Sequence, residues 1–266
     1  MLDRPSPEGS AAGAFKEAPA IVASALVKAF GQARVLNGVD LEIDAGSAVA
    51  LIGTNGAGKS TLLRCLVRLT EPTSGRIQIL GQDITAVSGR ELARLRSRIG
   101  VVFQRHNLVP RLSALSNVVH GVQARERGVR TWSQTFARGP VRDEAMWCLE
   151  RVGLTDKAAQ RADSLSGGQS QRVAIARMLM QRPEIVLADE PDASLDPRSG
   201  EDVMALLYRL SSENRLPLVI ISHRIEHTLR FSDRIVGLAG GRIVMDVPSR
   251  QALPEELKTF FVGAAA

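Results

Sequence analysis

The stretch from Ala48 to Leu69 constrains the fold of this 266-residue chain more than any other. Ala48-Val49-Ala50-Leu51-Ile52 is a continuous apolar run, the pattern of a strand covered on both faces and therefore of a parallel sheet. Gly53-Thr54-Asn55-Gly56-Ala57-Gly58-Lys59-Ser60 fits G-x-x-x-x-G-K-[ST], and Thr61 opens the next turn. Leu62, Leu63, Leu66, Val67 and Leu69 then recur at helical spacing. A strand, a glycine-rich turn and a helix N-terminus in this order make a phosphate cradle. The glycines let the backbone N–H groups turn inward, and the positive end of the helix dipole adds to their pull on β- and γ-phosphates. Lys59 supplies a point charge, and the Ser60 hydroxyl is placed to ligate Mg²⁺.

Two further segments point the same way. Ile185-Val186-Leu187-Ala188-Asp189-Glu190 is a short apolar run ending in two acids. An acid pair by itself more often belongs to a solvated surface. At the tip of a buried strand, Asp189 can hold Mg²⁺ and Glu190 can polarise an attacking water as a general base. Leu165-Ser166-Gly167-Gly168-Gln169 precedes an apolar stripe of Val173, Ala174, Ala176 and Met178. Ser166 is thus placed to open a helix whose free N–H groups form a second anion site.

Over residues of about 20–246 the chain resembles the nucleotide-binding subunit of an ATP-binding cassette (ABC) ATPase. The motifs stand in that family's order: the phosphate loop, Gln104 after Ile99–Phe103, Leu165–Gln169, Asp189-Glu190, Ser194-Leu195-Asp196, and His223 after Leu218–Ser222. The resemblance implies an α/β fold: a P-loop NTPase (RecA-like) core, an antiparallel β subdomain and an inserted α-helical subdomain carrying the signature. It implies ATP and Mg²⁺ as ligands. Glu190, His223, Gln104 and Lys59 would be catalytic, and Ser60, Gln104 and Asp189 would face the metal. Residues 53–61, Gln104, Asp189 and His223 would hold the nucleotide, with Phe30 stacked on adenine; a core aromatic at a strand end is the competing role for Phe30. Ser166, Gly167, Gly168, Gln169 and Asp196 would contact ATP bound to a second, head-to-tail copy. Where the family reads Gln-Gln-Gln-Arg, this chain has Gln169-Ser170-Gln171-Arg172, a departure expected at a polar position.

Composition narrows the class further. The net charge is +6, yet the basic residues are scattered Arg with only five Lys, so the clustered stripe of a nucleic-acid reader is missing. Cys65 and Cys148 fit no metal spacing and read as incidental thiols of a reducing compartment. No apolar run approaches the roughly twenty residues that span a bilayer, and the first ten residues lack the pattern of a secretory signal. The expected location is the cytoplasmic face of the cell's inner membrane, held there by permease subunits that in turn receive cargo from an extracytoplasmic substrate-binding protein.

Along the chain, residues 1–18 read as a flexible tail, 19–246 as the ATPase domain and 247–266 as a short extension. Within the domain, 19–104 and 170–246 would form the nucleotide-binding core with its β subdomain, and 105–169 the helical subdomain. Strands are expected over Ile21–Phe30, Val39–Ile43 and Arg76–Leu80, and helices over Ser113–Val122 and Asp143–Val152. The helical segment after Gln104 is expected to turn exposed side chains toward a permease. Asn107–Val118, an insertion bearing Trp132, Arg151–Leu154, Lys157-Ala158, Gln160–Ala162 and Asp233–Leu238 resemble the ATPase subunit of phosphonate importers. That likeness weakens over Ser222–His227. Phosphite, hypophosphite, phosphate-ester and amino-acid importers stay open, as does a non-transport ABC ATPase of DNA repair or translation.

Overall fold

The computed structural model describes residues 18–104, 106–126, 134–135 and 137–263. The expected tail up to residue 17 and the Trp132 insertion lie outside them. In chain order the elements are β1 (Ile21–Phe30), β2 (Ala33–Ile43), β3 (Ala48–Ile52), α1 (Lys59–Leu66), β4 (Ser74–Ile79), β5 (Gln82–Asp83) and α2 (Gly89–Ser97). There follow β6 (Ile99–Phe103), α3 (Ala114–Val119), α4 (Gly139–Arg151), α5 (Gly167–Met180), β7 (Ile185–Asp189) and α6 (Pro197–Glu213). The chain closes with β8 (Leu218–Ile221), α7 (Ile225–Arg230), β9 (Arg234–Ala239), β10 (Arg242–Pro248) and α8 (Pro254–Gly263).

Two sheets result. One has the order β2-β1-β4-β5 and is antiparallel; the other has the order β10-β9-β3-β8-β7-β6 and is parallel except for β10. The apolar runs explain the second sheet. Every residue of β3, β7 and β8 is buried, as interior strands covered on both faces must be. Alternation then sorts β3 between two cores. Val49 and Leu51 pack with α1 and the antiparallel sheet, whereas Ala50 and Ile52 pack with Ile235 and with Leu257 and Phe260 of α8. On the side of α3, α4, α5 and α6, one cluster joins Val102, Val186, Ala188 and Ile220 to Val118, Leu149, Ile175 and Leu207. The expected α/β architecture is thus the one adopted. The parallel strands point their C-terminal ends the same way, and the phosphate loop, Gln104, the acid pair and His223 all follow strands at that edge.

The segment after Gln104 departs from expectation. α3 ends at Val119 and passes into a 3₁₀ turn, His120–Ala124. Its Ala114, Ser116, Asn117, Val118 and Val119 are buried, so this helix presents no exposed face to a partner. The reason is polar as well as apolar: Asn117 is fully buried, its Oδ1 accepts from Val109 N at 2.7 Å, and its Nδ2 donates to Ser113 O at 3.0 Å. A buried amide needs such partners, and they draw the helix inward. Exposure passes instead to Asn107, Val109, Pro110 and Arg111, ahead of the helix.

Candidate nucleotide site

At the end of β3 the phosphate loop wraps tightly enough that only glycine fits. A Cβ on Gly53 would lie 2.4 Å from Leu238 O, and one on Gly58, at φ +104°, would lie 2.9 Å from Val35 O. Lys59 is buried, and its Nζ donates to Gly53 O at 2.8 Å and Thr54 O at 2.9 Å. Burial pulls the Lys59 ammonium below its ordinary pKa, while Glu190 and Asp189 pull the other way. Over the loop lies a cleft of about 330 Å³ lined by Val35, Asn55, Gly56, Lys59, Ser60 and Glu190, with Thr61 at its wall. The loop main chain also makes its own turn, Ala57 N donating to Thr54 O at 3.2 Å.

β7 brings the acid pair to this cleft. Ser60 Oγ donates to Asp189 Oδ1 at 2.9 Å. Burial holds the Asp189 carboxyl above the ordinary carboxylate range, and the Ser60 bond partly offsets it. Glu190 follows in the left-handed region at φ +50°, and its Oε1 lies 2.9 Å from His223 Nε2 at the exit of β8. β6 pairs with β7 so that Phe103 faces Asp189, which sets Gln104 one residue beyond the acid-bearing strand tip, with its side chain exposed. Phe30 is 53% exposed with Lys28 Nζ 4.6 Å from its ring centre, so it is not a core aromatic.

The signature opens α5 as the sequence leads one to expect. Ser166 caps the helix: its Oγ accepts from Gln169 N at 3.3 Å while Gln169 Oε1 accepts from Ser166 N at 3.0 Å. Gly167 and Gly168 abut the turn before α6 and the first turn of that helix, where added Cβ atoms would lie 3.2 Å from Leu195 and 3.1 Å from Ser199. Asp196 caps that helix, accepting from Ser199 N at 3.0 Å. Ser166, Gly168, Gln169 and Arg172 line a second cleft of about 290 Å³ that shares no lining residue with the first. The helix starts at Lys59 and at Ser166 therefore line two separate clefts.

Several residues escaped the sequence reading. Ser170 is buried, not at an open polar position, because α5 packs on both sides there. From α5, Gln171 Nε2 donates to Phe103 O at 3.4 Å, and Arg177 donates to Asn107 O at 2.7 Å and His106 O at 2.9 Å. Just beyond it, Gln181 donates to Ile99 O at 2.9 Å. A buried pair, Asp192 and His227, lies behind the Glu190–His223 contact. Both cysteines are buried, and burial raises the Cys65 thiol to about 11 and the Cys148 thiol to about 12. Among the described residues no helix is long and apolar enough to cross a membrane.

Known proteins resemble this chain in sequence and in fold. The family described as ABC transporter matches residues 36–193. The phosphonates import ATP-binding protein PhnC 1 of Ruegeria sp. (strain TM1040) is 45% identical over 244 residues, covering 91% of this chain and 94% of that protein. The phosphate-import ATP-binding protein PhnC of Mycolicibacterium smegmatis is 47% identical over 229 residues, covering 86% and 87%. Among solved structures, the ATP-binding cassette MJ0796, dimeric, post-hydrolysis and bound to ADP and Pi, superposes with a TM-score of 0.76 at 34% identity, over 87% of this chain and 100% of that one. Sequence likeness over most of its length, carried on a fold that gathers the phosphate loop, the acid pair and His223 at one sheet edge, makes this chain a member of the ABC transporter family.

Proposed function

We propose that the chain is the ATP-hydrolysing subunit of an importer, working as a head-to-tail pair of copies that clasp two ATP molecules and drive phosphonate uptake through permease partners. The observation that carries this reading is the contact of Glu190 Oε1 with His223 Nε2 at 2.9 Å beside the cleft that holds Lys59 and Ser60. Lys59 and the N–H groups of residues 53–61 would hold the β- and γ-phosphates, and Phe30 would stack on adenine. Glu190 would accept a proton from the attacking water, His223 would hydrogen-bond the γ-phosphate, and Gln104 would orient the water. Ser166, Gly167, Gly168, Gln169 and Asp196 would complete the partner copy's site, since the signature cleft stands apart from the phosphate loop of its own chain.

Ser60 and Asp189 fit Mg²⁺, being hard oxygen donors 2.9 Å apart at a buried strand tip. With Gln104 they would hold the ion, which when bound neutralises developing phosphate charge. The division of the chain proposed here gives 19–104 and 170–246 to the nucleotide and 105–169 to the signature, leaving 1–18 and 247–266 as a tail and an extension. The exposed segment 107–111 would meet a permease at the cytoplasmic face of the inner membrane, and a substrate-binding protein would deliver cargo outside. Nucleic acid has no part in this reading. Phosphonate is favoured because several relatives at 43–49% identity bear that name; the relative named for phosphate import favours phosphate as the second reading. Growth decides. A host lacking the gene should fail on a phosphonate as sole phosphorus source, grow on phosphate, and recover with the parental gene but not with Lys59→Ala. Survival on phosphonate would remove the cargo assignment.

A further inference from the structure

We propose that Asp192 and His227 are positioning residues, a buried pair that sets the spacing between Glu190 and His223. The inference rests on the roles proposed above for those two side chains. β7 and β8 are parallel neighbours, with Asp189 opposite Ile221, and Glu190 N donates to Ile221 O at 3.2 Å. Beyond that bond the strands end and the segments diverge, one toward α6 and the other into α7.

Two side-chain hydrogen bonds cross between them among the described residues. The first is Glu190 with His223; its side chains are 24% and 34% exposed, so water competes for it. The second is His227 Nδ1 donating to Asp192 Oδ2 at 2.7 Å, with side chains only 8% and 4% exposed. A short bond between buried groups is held far more stiffly than one at the surface, because breaking it strands a polar group out of water. Asp192 is two residues from Glu190 within one turn, where Ala193 N donates to Glu190 O and Leu195 N to Asp192 O, each at 3.2 Å. His227 sits one helical turn from Arg224, the residue after His223. Each buried partner is therefore a short, stiff span from the reactive one.

Both ends of the pair are anchored. The His227 ring meets Phe231 edge-on at 5.8 Å, and Phe231 belongs to the core that includes Leu207. Asp192 lies against Gly200 of α6, where an added Cβ would come within 3.3 Å, and Arg224 Nε faces the carboxylate at 3.9 Å.

Three variants of the full-length protein test the pair, read by kcat and KM for Mg-ATP and by thermal unfolding. His227→Phe keeps the ring against Phe231 and removes the donor. It should lower kcat by roughly tenfold to a hundredfold, the effect of misplacing reacting groups by about 1 Å, while KM stays within about twofold because the phosphate loop is untouched. His227→Gln returns an N–H toward Asp192 and should recover most of the lost kcat. Should His227→Phe not fold, Asp192→Ser, whose shortened acceptor cannot close the contact, is read by the same split. Glu190→Gln is the control. If it hydrolyses ATP at the parental rate, the reading of the site fails; if it is inactive while His227→Phe or Asp192→Ser keeps parental kcat, only the positioning pair fails. Equal loss of kcat and stability in His227→Phe and His227→Gln would make the pair structural and also overturn the proposal.

Discussion

Replacing Glu190 by Gln should slow Mg-ATP turnover by about 10² to 10⁴-fold, the range for removing a general base. That corresponds to a barrier raised by about 3 to 5 kcal/mol. Stability should barely change. Gln keeps the shape and an Oε1 that can still accept from His223 Nε2, 2.9 Å away. The left-handed backbone at φ +50° is as costly for Gln as for Glu. What disappears is the ionic part of a contact whose two side chains are 24% and 34% exposed, which contributes at most about 1 kcal/mol. A change of that size moves the melting point of a chain this long by about 2 to 4 °C. The assay is phosphate release at saturating Mg-ATP beside calorimetry of the nucleotide-free protein and sedimentation with ATP, where the stalled variant should run as a dimer. A turnover within threefold of the parent would refute the reasoning, as would a melting point lowered so far that the loss reflects unfolding.

Asp189→Asn should separate stability from function. Burial raises the Asp189 carboxyl in the folded protein, and such a group favours folding fully below its unfolded-chain value and less as pH rises through the raised folded one. The Asn variant does not titrate there, so its melting point should gain on the parent's from about pH 4 upward, while Mg-ATP hydrolysis is lost at every pH; a parallel pair of melting curves would contradict this. Gly168→Asp and Lys59→Ala should each be inactive alone yet recover activity when mixed, because one composite site keeps both elements; a mixture as inactive as its parts would mean that the two elements act within one chain or that both sites must fire together. Gly121→Ala should destabilise the fold by about 3 kcal/mol or more, since a Cβ there would lie 2.2 Å from Arg177 O, whereas Gly139→Ala meets nothing within 4 Å; equal melting points would overturn the packing argument.

How much could be read in advance depended on whether the signal was local. Ile21–Phe30 and Ala48–Ile52 were legible as strands with the bounds observed, because an apolar run and its flanks are contiguous in sequence. The placement of Lys59, Ser60, Asp189 and Glu190 followed from loops at the tips of such runs. The helix beginning near Ser113 looked longer than it is, since Val118, Val119 and Val122 keep helical spacing across His120-Gly121 while the backbone tightens to 3₁₀. Its burial was illegible because it depends on Asn117 reaching back to Val109. Asp192 and His227 are 35 positions apart, and neither carries a local pattern. Gln171 and Arg177 lie on a helix and are polar, but their partners belong to β6 and the loop after it. Contacts of that kind are properties of packing and have no periodicity to announce them.

α5 has a mechanical consequence. At 14 residues it is about 21 Å long. Gln171, Arg177 and Gln181 fasten the helix and its end to Phe103, His106, Asn107 and Ile99. Anything that pushes on His106 and Asn107 therefore pushes on a lever whose far tip is Ser166. A tilt of about 5° pivoting at Met180 would swing that tip by about 2 Å, enough to make or break a hydrogen bond to a phosphate held by another copy. Distance measurements between labels at exposed Asn107 and at Gln169 should stay constant as nucleotide is added, even while both move relative to Gly56; a changing separation would mean the lever bends. If it holds, thrust applied at the loop arrives at the signature as displacement, with little lost to flexing along the way.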